Sequence, residues 1–223
     1  MWLIDSSIGR KVVQSVTGLA LILFLTFHAC MNVVAIVSGE AYNAICEFLG
    51  ADWYAVAATV GLALLMVLHF VYAFVLTFQN RKARGNQHYA ITSKPDKVEW
   101  ASQNMLVLGI IIVLGLMLHL YNFWYNMMFA ELAGPFNPQC SDGYGYIRET
   151  FGQPLFVVLY LVWLVAIWFH LNHGFWSALQ TVGWSGKVWL QRWQCIGKVW
   201  STCIVVMFAA VALWFAFGMT CIL

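Results

Sequence analysis

Four histidines lie inside four separate apolar runs: His28 in LILFLTFHACMN, His69 in LLMVLHFVYAF, His119 in LGLMLHLYNFW and His170 in VAIWFHLNHGFW. An ionisable imidazole at bilayer depth is costly, so each of these residues marks a functional site by default. Two neutral imidazoles that face each other across a helix bundle can take both axial positions of a haem iron. One such histidine on each of four helices points to two haems and to a membrane cytochrome that carries electrons. A lone membrane histidine more often hydrogen-bonds between helices or joins a proton relay. Four that sort into pairs are harder to explain as packing.

The elements that must hold them are membrane spans. Of 223 residues, 62% are hydrophobic and only 9% charged, against about 25% charged in ordinary soluble domains. Windows of about 20 apolar residues fall at 13–37, 53–79, 101–130, 152–181 and 199–221. The expected fold is an all-α membrane protein, five transmembrane helices in one bundle, with 1–223 a single domain. No internal repeat, low-complexity tract or soluble domain interrupts it. Twelve Trp and nine Tyr suit interfacial aromatic belts. Arg10 and Lys11 before an apolar run imitate a signal peptide, but 13–37 is too long for its apolar region and has no small-residue cleavage site, so it reads as the first span.

Charge sets the expected orientation. Under the five-span reading Arg10, Lys11, Arg81, Lys82, Arg84, Lys94, Lys97, Lys187, Arg192 and Lys198 share one side, and only Arg148 lies on the other. The opposite side collects Glu40, Glu47, Asp52, Glu131, Asp142 and Glu149. The N-terminus and the II–III and IV–V loops are therefore expected in the cytoplasm and the C-terminus in the periplasm. His28 and His119 then lie nearer the outer surface, His69 and His170 nearer the inner one. The pairing that respects depth is His28 with His119 and His69 with His170, so that spans I and III share one site, II and IV the other, and span V packs without a ligand. His88 falls in a polar loop and reads as solvated. His173, three residues after His170, could replace it as ligand or act as a hydrogen-bond partner to a propionate or quinone.

The remaining chemistry is sparse. Six cysteines, at 30, 46, 140, 195, 203 and 221, form no C-x-x-C or C-x-x-C-H pattern, so neither an iron–sulfur nor a c-type haem motif is present; most read as small buried hydrophobes. The near-neutral charge gives no reason to expect nucleic acid.

The segments QSVTGLALILFLTFH (14–28), GEAYN (39–43), LHLY (118–121) and FHLNHGFWSALQTVGW (169–184) carry a likeness over essentially the whole chain. It resembles the dihaem cytochrome b subunit, of the b558 type with five helices, that anchors bacterial succinate dehydrogenases and fumarate reductases. In that family the fourth ligand is the histidine four residues before a glycine, here Gly174, which selects His170 over His173. The family also joins first to third and second to fourth ligand helices. The resemblance implies two haem b groups as a wire across the bacterial inner membrane. Electrons would pass between a membrane quinone, menaquinone favoured, and an iron–sulfur subunit on the cytoplasmic face, and through it a flavoprotein. FAD and Fe–S clusters would sit on those partners, and the dicarboxylate chemistry with them.

Anionic haem propionates need donors near the membrane surface. Candidates are Arg10, Lys11, Gln14, Ser15 and Lys187, with Gln14 and Ser15 favoured because their QS-x-TG setting matches the family; plain charge anchoring is the alternative for Arg10 and Lys11. Glycines 18, 61, 109 and 115 could admit a helix or a porphyrin. Glu47, in AICEFL, is a candidate proton-exchanging acid beside an outer quinone, with a surface-facing Glu as the alternative. Some relatives carry an acid where this chain has Trp168, so a proton route through that position is not expected. Competing readings are the cytochrome b subunit of a hydrogenase, formate dehydrogenase or nitrate reductase, a haem-free transporter with a histidine relay, and a purely structural anchor.

Overall fold

The computed structural model describes residues 6–50, 52–85, 100–134, 138–219 and 221. Among them five helices are long and apolar enough to cross a membrane, which makes this a multi-pass, all-α membrane protein. The first, α1, is Ser7–Val37; Ser6 caps it by accepting from the Gly9 N–H. Ser38 turns extended and ends it. Its hydroxyl accepts from the Ala41 N–H and so starts the short helix α2, Gly39–Phe48. The second span is α3, Trp53–Arg84.

The third span is composite. A turn, α4 (Trp100–Gln103), gives way at Asn104, whose backbone N–H donates to the Trp100 carbonyl at 3.2 Å while its side-chain amide donates to the same oxygen at 2.9 Å. Then α5 (Met105–His119) runs directly into a π-helix, Leu120–Phe129, and a last turn, α6 (Ala130–Ala133). Within the π-helix the Asn126 amide donates to the Tyr121 and Asn122 carbonyls. After a short 3₁₀ turn at Pro138–Ser141 comes α7 (Gly143–Phe151), with Asp142 as its N-cap. Then follow α8 (Pro154–Thr181) and α9 (Lys187–Ala216).

The connections differ from the sequence expectation in three places. The I–II and III–IV connections contain α2 and α7, and α9 begins at Lys187, twelve residues ahead of the expected 199. Lys187, Arg192 and Lys198 therefore stand on a helix and not in a loop. Their amphipathic stretches are too short or too polar to cross a bilayer but suited to its surface. Lys94, Lys97 and His88 lie outside the described residues.

The bundle has a simple plan. Close backbone contacts join α1 to α3, α1 to α8, α8 to α5 and, sparsely, α5 to α3. That is a square of four helices, in which α1 and α5 occupy one diagonal and α3 and α8 the other. Neither diagonal pair packs along its length. The fifth span, α9, lies outside the square against α8 and α1. The best-buried core joins α1, α8 and α9 through Ile22, Ala29, Leu164, Ile167, Leu171, Phe175 and Ile204. Small residues let α9 approach: a Cβ on Gly197 would stand 2.7 Å from the Phe175 ring. The Trp200 indole N–H reaches the Thr26 hydroxyl at 2.9 Å, and that of Trp168 reaches Thr202 at 2.9 Å. By contrast α3 buries almost nothing, and Val60, Leu64, Val67 and Val71 face outward, as a lipid-facing helix requires.

Candidate metal centre in the bundle

Each diagonal of the square is bridged by two imidazoles. His28 on α1 and His119 on α5 have ring centres 5.8 Å apart with planes at 80°. His69 on α3 and His170 on α8 are 6.3 Å apart at 71°. The two pairs sit at different depths. On α1 the level of His69 is marked by Thr17, eleven residues before His28. On α8, Trp163 touches His119 seven residues before His170. At about 1.5 Å per residue the layers are separated by roughly 10–16 Å.

The surroundings of the pairs differ. In the His28–His119 pair, Phe24 stacks on His28 one turn away, and Phe123, Tyr160 and Trp163 enclose His119. The Asn32 amide donates to the His28 carbonyl at 2.8 Å and accepts from the Tyr42 hydroxyl at 3.3 Å. His119 is the last α-helical residue before the π-helix, a distortion often found at functional positions. In the His69–His170 pair, His69 is held from α1. Its Nδ1 lies 3.2 Å from both the Gln14 carbonyl and the Thr17 hydroxyl, and its Nε2 lies 3.2 Å from the Gln14 side-chain amide.

What could such a pair hold? Among the described residues no three of His, Cys, Asp and Glu come together, so a tetrahedral zinc site built from protein ligands has no basis there. Two opposed imidazoles suit a metal whose other ligands arrive with it, as a porphyrin's do. With a metal–nitrogen bond of about 2.0 Å and about 1.2 Å from ring centre to nitrogen, two imidazoles collinear through a metal have centres about 6.4 Å apart. The 6.3 Å of the His69–His170 pair matches that span, and the 5.8 Å of the His28–His119 pair is slightly shorter. Among the described residues His119 Nδ1 and His170 Nδ1 are buried without a hydrogen-bond partner, which an apolar interior penalises. A Cβ on Gly61, Gly109 or Gly174 would meet nothing within 4 Å, Gly61 lying on the exposed side of α3, whereas Gly18 and Gly115 are packed against His69 and Trp163. The four glycines singled out in the sequence thus divide into two that seat side chains and two that line open space.

The other sequence candidates are scattered. Gln14 faces the His69–His170 pair, and Ser15 is buried. Arg10 is half-buried near the start of α1, whereas Lys11 and Lys187 are exposed. His173 stacks edge-on against Trp176, 4.9 Å away, and not against His69. Glu47 is exposed on α2. At that end of the bundle the ordered polar cluster is a different one. Asn43 donates to Asp142 at 2.9 Å and accepts from the Tyr144 N–H at 2.8 Å. Tyr42 and Cys46 hydrogen-bond beside them, and burial pushes the Cys46 thiol up to about 11. The sequence reading missed Thr17, Asn32 and Trp163. For Asn32 a signal was available, an amide one helical turn from a membrane histidine.

Comparison with family models, with curated proteins and with solved structures finds no match to this chain. The fold and the paired imidazoles therefore carry the functional reading alone.

Proposed function

We propose that this chain is the dihaem cytochrome b anchor subunit of a succinate:quinone oxidoreductase or quinol:fumarate reductase of a bacterial cytoplasmic membrane. The observation that supports it best is the pair of imidazole bridges across the two diagonals of one membrane bundle, at two depths. His28 and His119 would ligate the outer haem b, and His69 and His170 the inner one. When bound, the two irons supply one-electron transfer along the membrane normal. The apolar walls of α1, α5 and α8 keep water from the ligands, and the Gln14 and Arg10 region offers donors for propionates. The end carrying Arg10, Lys11, Arg81, Lys82, Lys187 and Arg192 is the cytoplasmic end, where an iron–sulfur subunit docks and leads to the flavoprotein. Quinone, menaquinone by preference, is the membrane substrate.

The test is a dithionite-reduced minus oxidised spectrum of the purified chain with haem stoichiometry. Two b haems per chain are expected. His28→Leu and His119→Leu should abolish the same haem, and His69→Leu and His170→Leu the other. No haem in a folded, haem-supplied preparation overturns the proposal and favours a colourless histidine-relay transporter. For the partner assignment, deleting the chain should release succinate dehydrogenase or fumarate reductase activity from the membrane; activity that stays bound points to a different quinone-linked enzyme.

A further inference from the structure

We propose that Thr17 is the positioning residue of the inner imidazole pair, fixing from a neighbouring helix which ring nitrogen of His69 carries the proton. This rests on the reading of His69 and His170 as ligands of an inner haem, and it deepens that reading.

Gln14, Thr17 and Gly18 fall on one face of α1, at spacings of three and four residues, and that face meets the His69 ring. Thr17 is buried, and its hydroxyl proton is committed to the main chain, with the Val13 carbonyl at 2.8 Å and the Gln14 carbonyl at 3.1 Å. Its oxygen is therefore left as an acceptor toward His69 Nδ1 at 3.2 Å. The second neighbour of Nδ1 is the Gln14 carbonyl, also at 3.2 Å, which can only accept. Facing two acceptors and no donor, Nδ1 must carry the hydrogen. Nε2 is then the lone-pair nitrogen, and the Gln14 side-chain amide, a donor, stands 3.2 Å from it. Gly18 completes the cradle: a Cβ there would come within 3.0 Å of His69 Cε1.

Metal-bound histidines commonly donate their second N–H to a carbonyl, which sets tautomer and ring orientation and makes the ligand more basic. Among the described residues the inner site alone has that support from a neighbouring helix. His170 Nδ1 and His119 Nδ1 have no hydrogen-bond partner, and Asn32 offers His28 Nδ1 an amide nitrogen at 3.5 Å. Thr17→Val keeps shape and removes one of two acceptors. His69 then becomes a weaker donor, and the ferric state of its iron loses stability relative to the ferrous state.

Two measurements test this. In the haem-loaded chain, Thr17→Val should retain both haems and raise the inner midpoint potential. A roughly tenfold change, the low end for losing an outer partner of a ligand, is about 59 mV for one electron. The outer potential should stay, and Thr17→Ser should return the inner one toward wild type. An unmoved inner potential, or equal shifts of both haems, overturns the proposal. In the haem-free chain, ¹⁵N NMR of His69 should show a single Nδ1–H tautomer that becomes mixed in Thr17→Val. A mixed tautomer already in the wild type also overturns it. Because the second experiment needs no haem, it separates failure of the clamp from failure of the cytochrome reading.

Discussion

Gly115 offers the sharpest test of how the surroundings of His119 are built. It lies on α5 one turn before His119, and the Trp163 indole of α8 lies so close over it that an added Cβ would collide with the indole Cδ1. The same indole donates its N–H to the Ile112 carbonyl at 3.0 Å and packs against His119 with centres 5.8 Å apart. A methyl at 115 must therefore push Trp163 off α5. Overpacking of this kind costs about 1–3 kcal/mol, and losing the indole bond adds about 0.5–1.5 kcal/mol. Replacing a helical glycine by alanine returns about 0.8–1.0 kcal/mol. The net loss for Gly115→Ala is about 2 kcal/mol. Gly109 on the same helix is the control: nothing lies within 4 Å of its added Cβ, so Gly109→Ala should be neutral or gain up to about 1 kcal/mol. Both variants are compared with wild type by reversible unfolding of the haem-free chain in mixed micelles. Stabilities of the two that agree within about 0.5 kcal/mol would refute the packing read from Trp163.

Two further outcomes concern the polar cluster around α2 and α7. Asn43→Ala removes both bonds that tie α2 to Asp142 and Tyr144 and should loosen that cap by about 1–2 kcal/mol; limited proteolysis of the α1–α3 connection should accelerate several-fold, and an unchanged cleavage rate would count against the tie. In a variant that keeps only Cys46, burial favours the neutral thiol, so the reactive thiolate is scarce below the raised value of about 11. Maleimide labelling should therefore climb about tenfold per pH unit through pH 9 and 10; a plateau near pH 9 would mean the thiol is not buried as described.

The spans were legible in the sequence because twenty apolar residues have few other solutions, and their cores agree with α1, α3, α5, α8 and α9. Their ends were not. α2, α7 and the first three turns of α9 mix charges with Trp, Tyr and Leu, and such stretches look like loops to a test that asks only for unbroken apolarity. The roles of Thr17 and Trp163 were invisible for a different reason. A threonine or tryptophan in a membrane helix is ordinary, and what singles these out is helix rotation, which brings Thr17 to His69, 52 residues away, and Trp163 to Ile112, 51 residues away. Asn104 was hidden likewise, since one amide in an apolar run does not announce that it will break the helix.

The histidine pairs themselves became readable through topology more than through local pattern. In an up-and-down bundle with short connections, consecutive spans become neighbours, so alternate spans fall on the diagonals of the square. Alternate spans also run parallel. Two side chains on a diagonal meet at one level only if they are offset equally from the same end of their helices. His28 and His119 satisfy that condition on α1 and α5, and His69 and His170 on α3 and α8, which is why counting residues from the charged loops could pair them before any distance was known. The same geometry explains why the diagonal helices stay apart. Were α1 and α5, or α3 and α8, to pack along one another, opposed imidazoles could not stand end to end between them. The α3–α5 edge is accordingly the most sparsely closed side of the square.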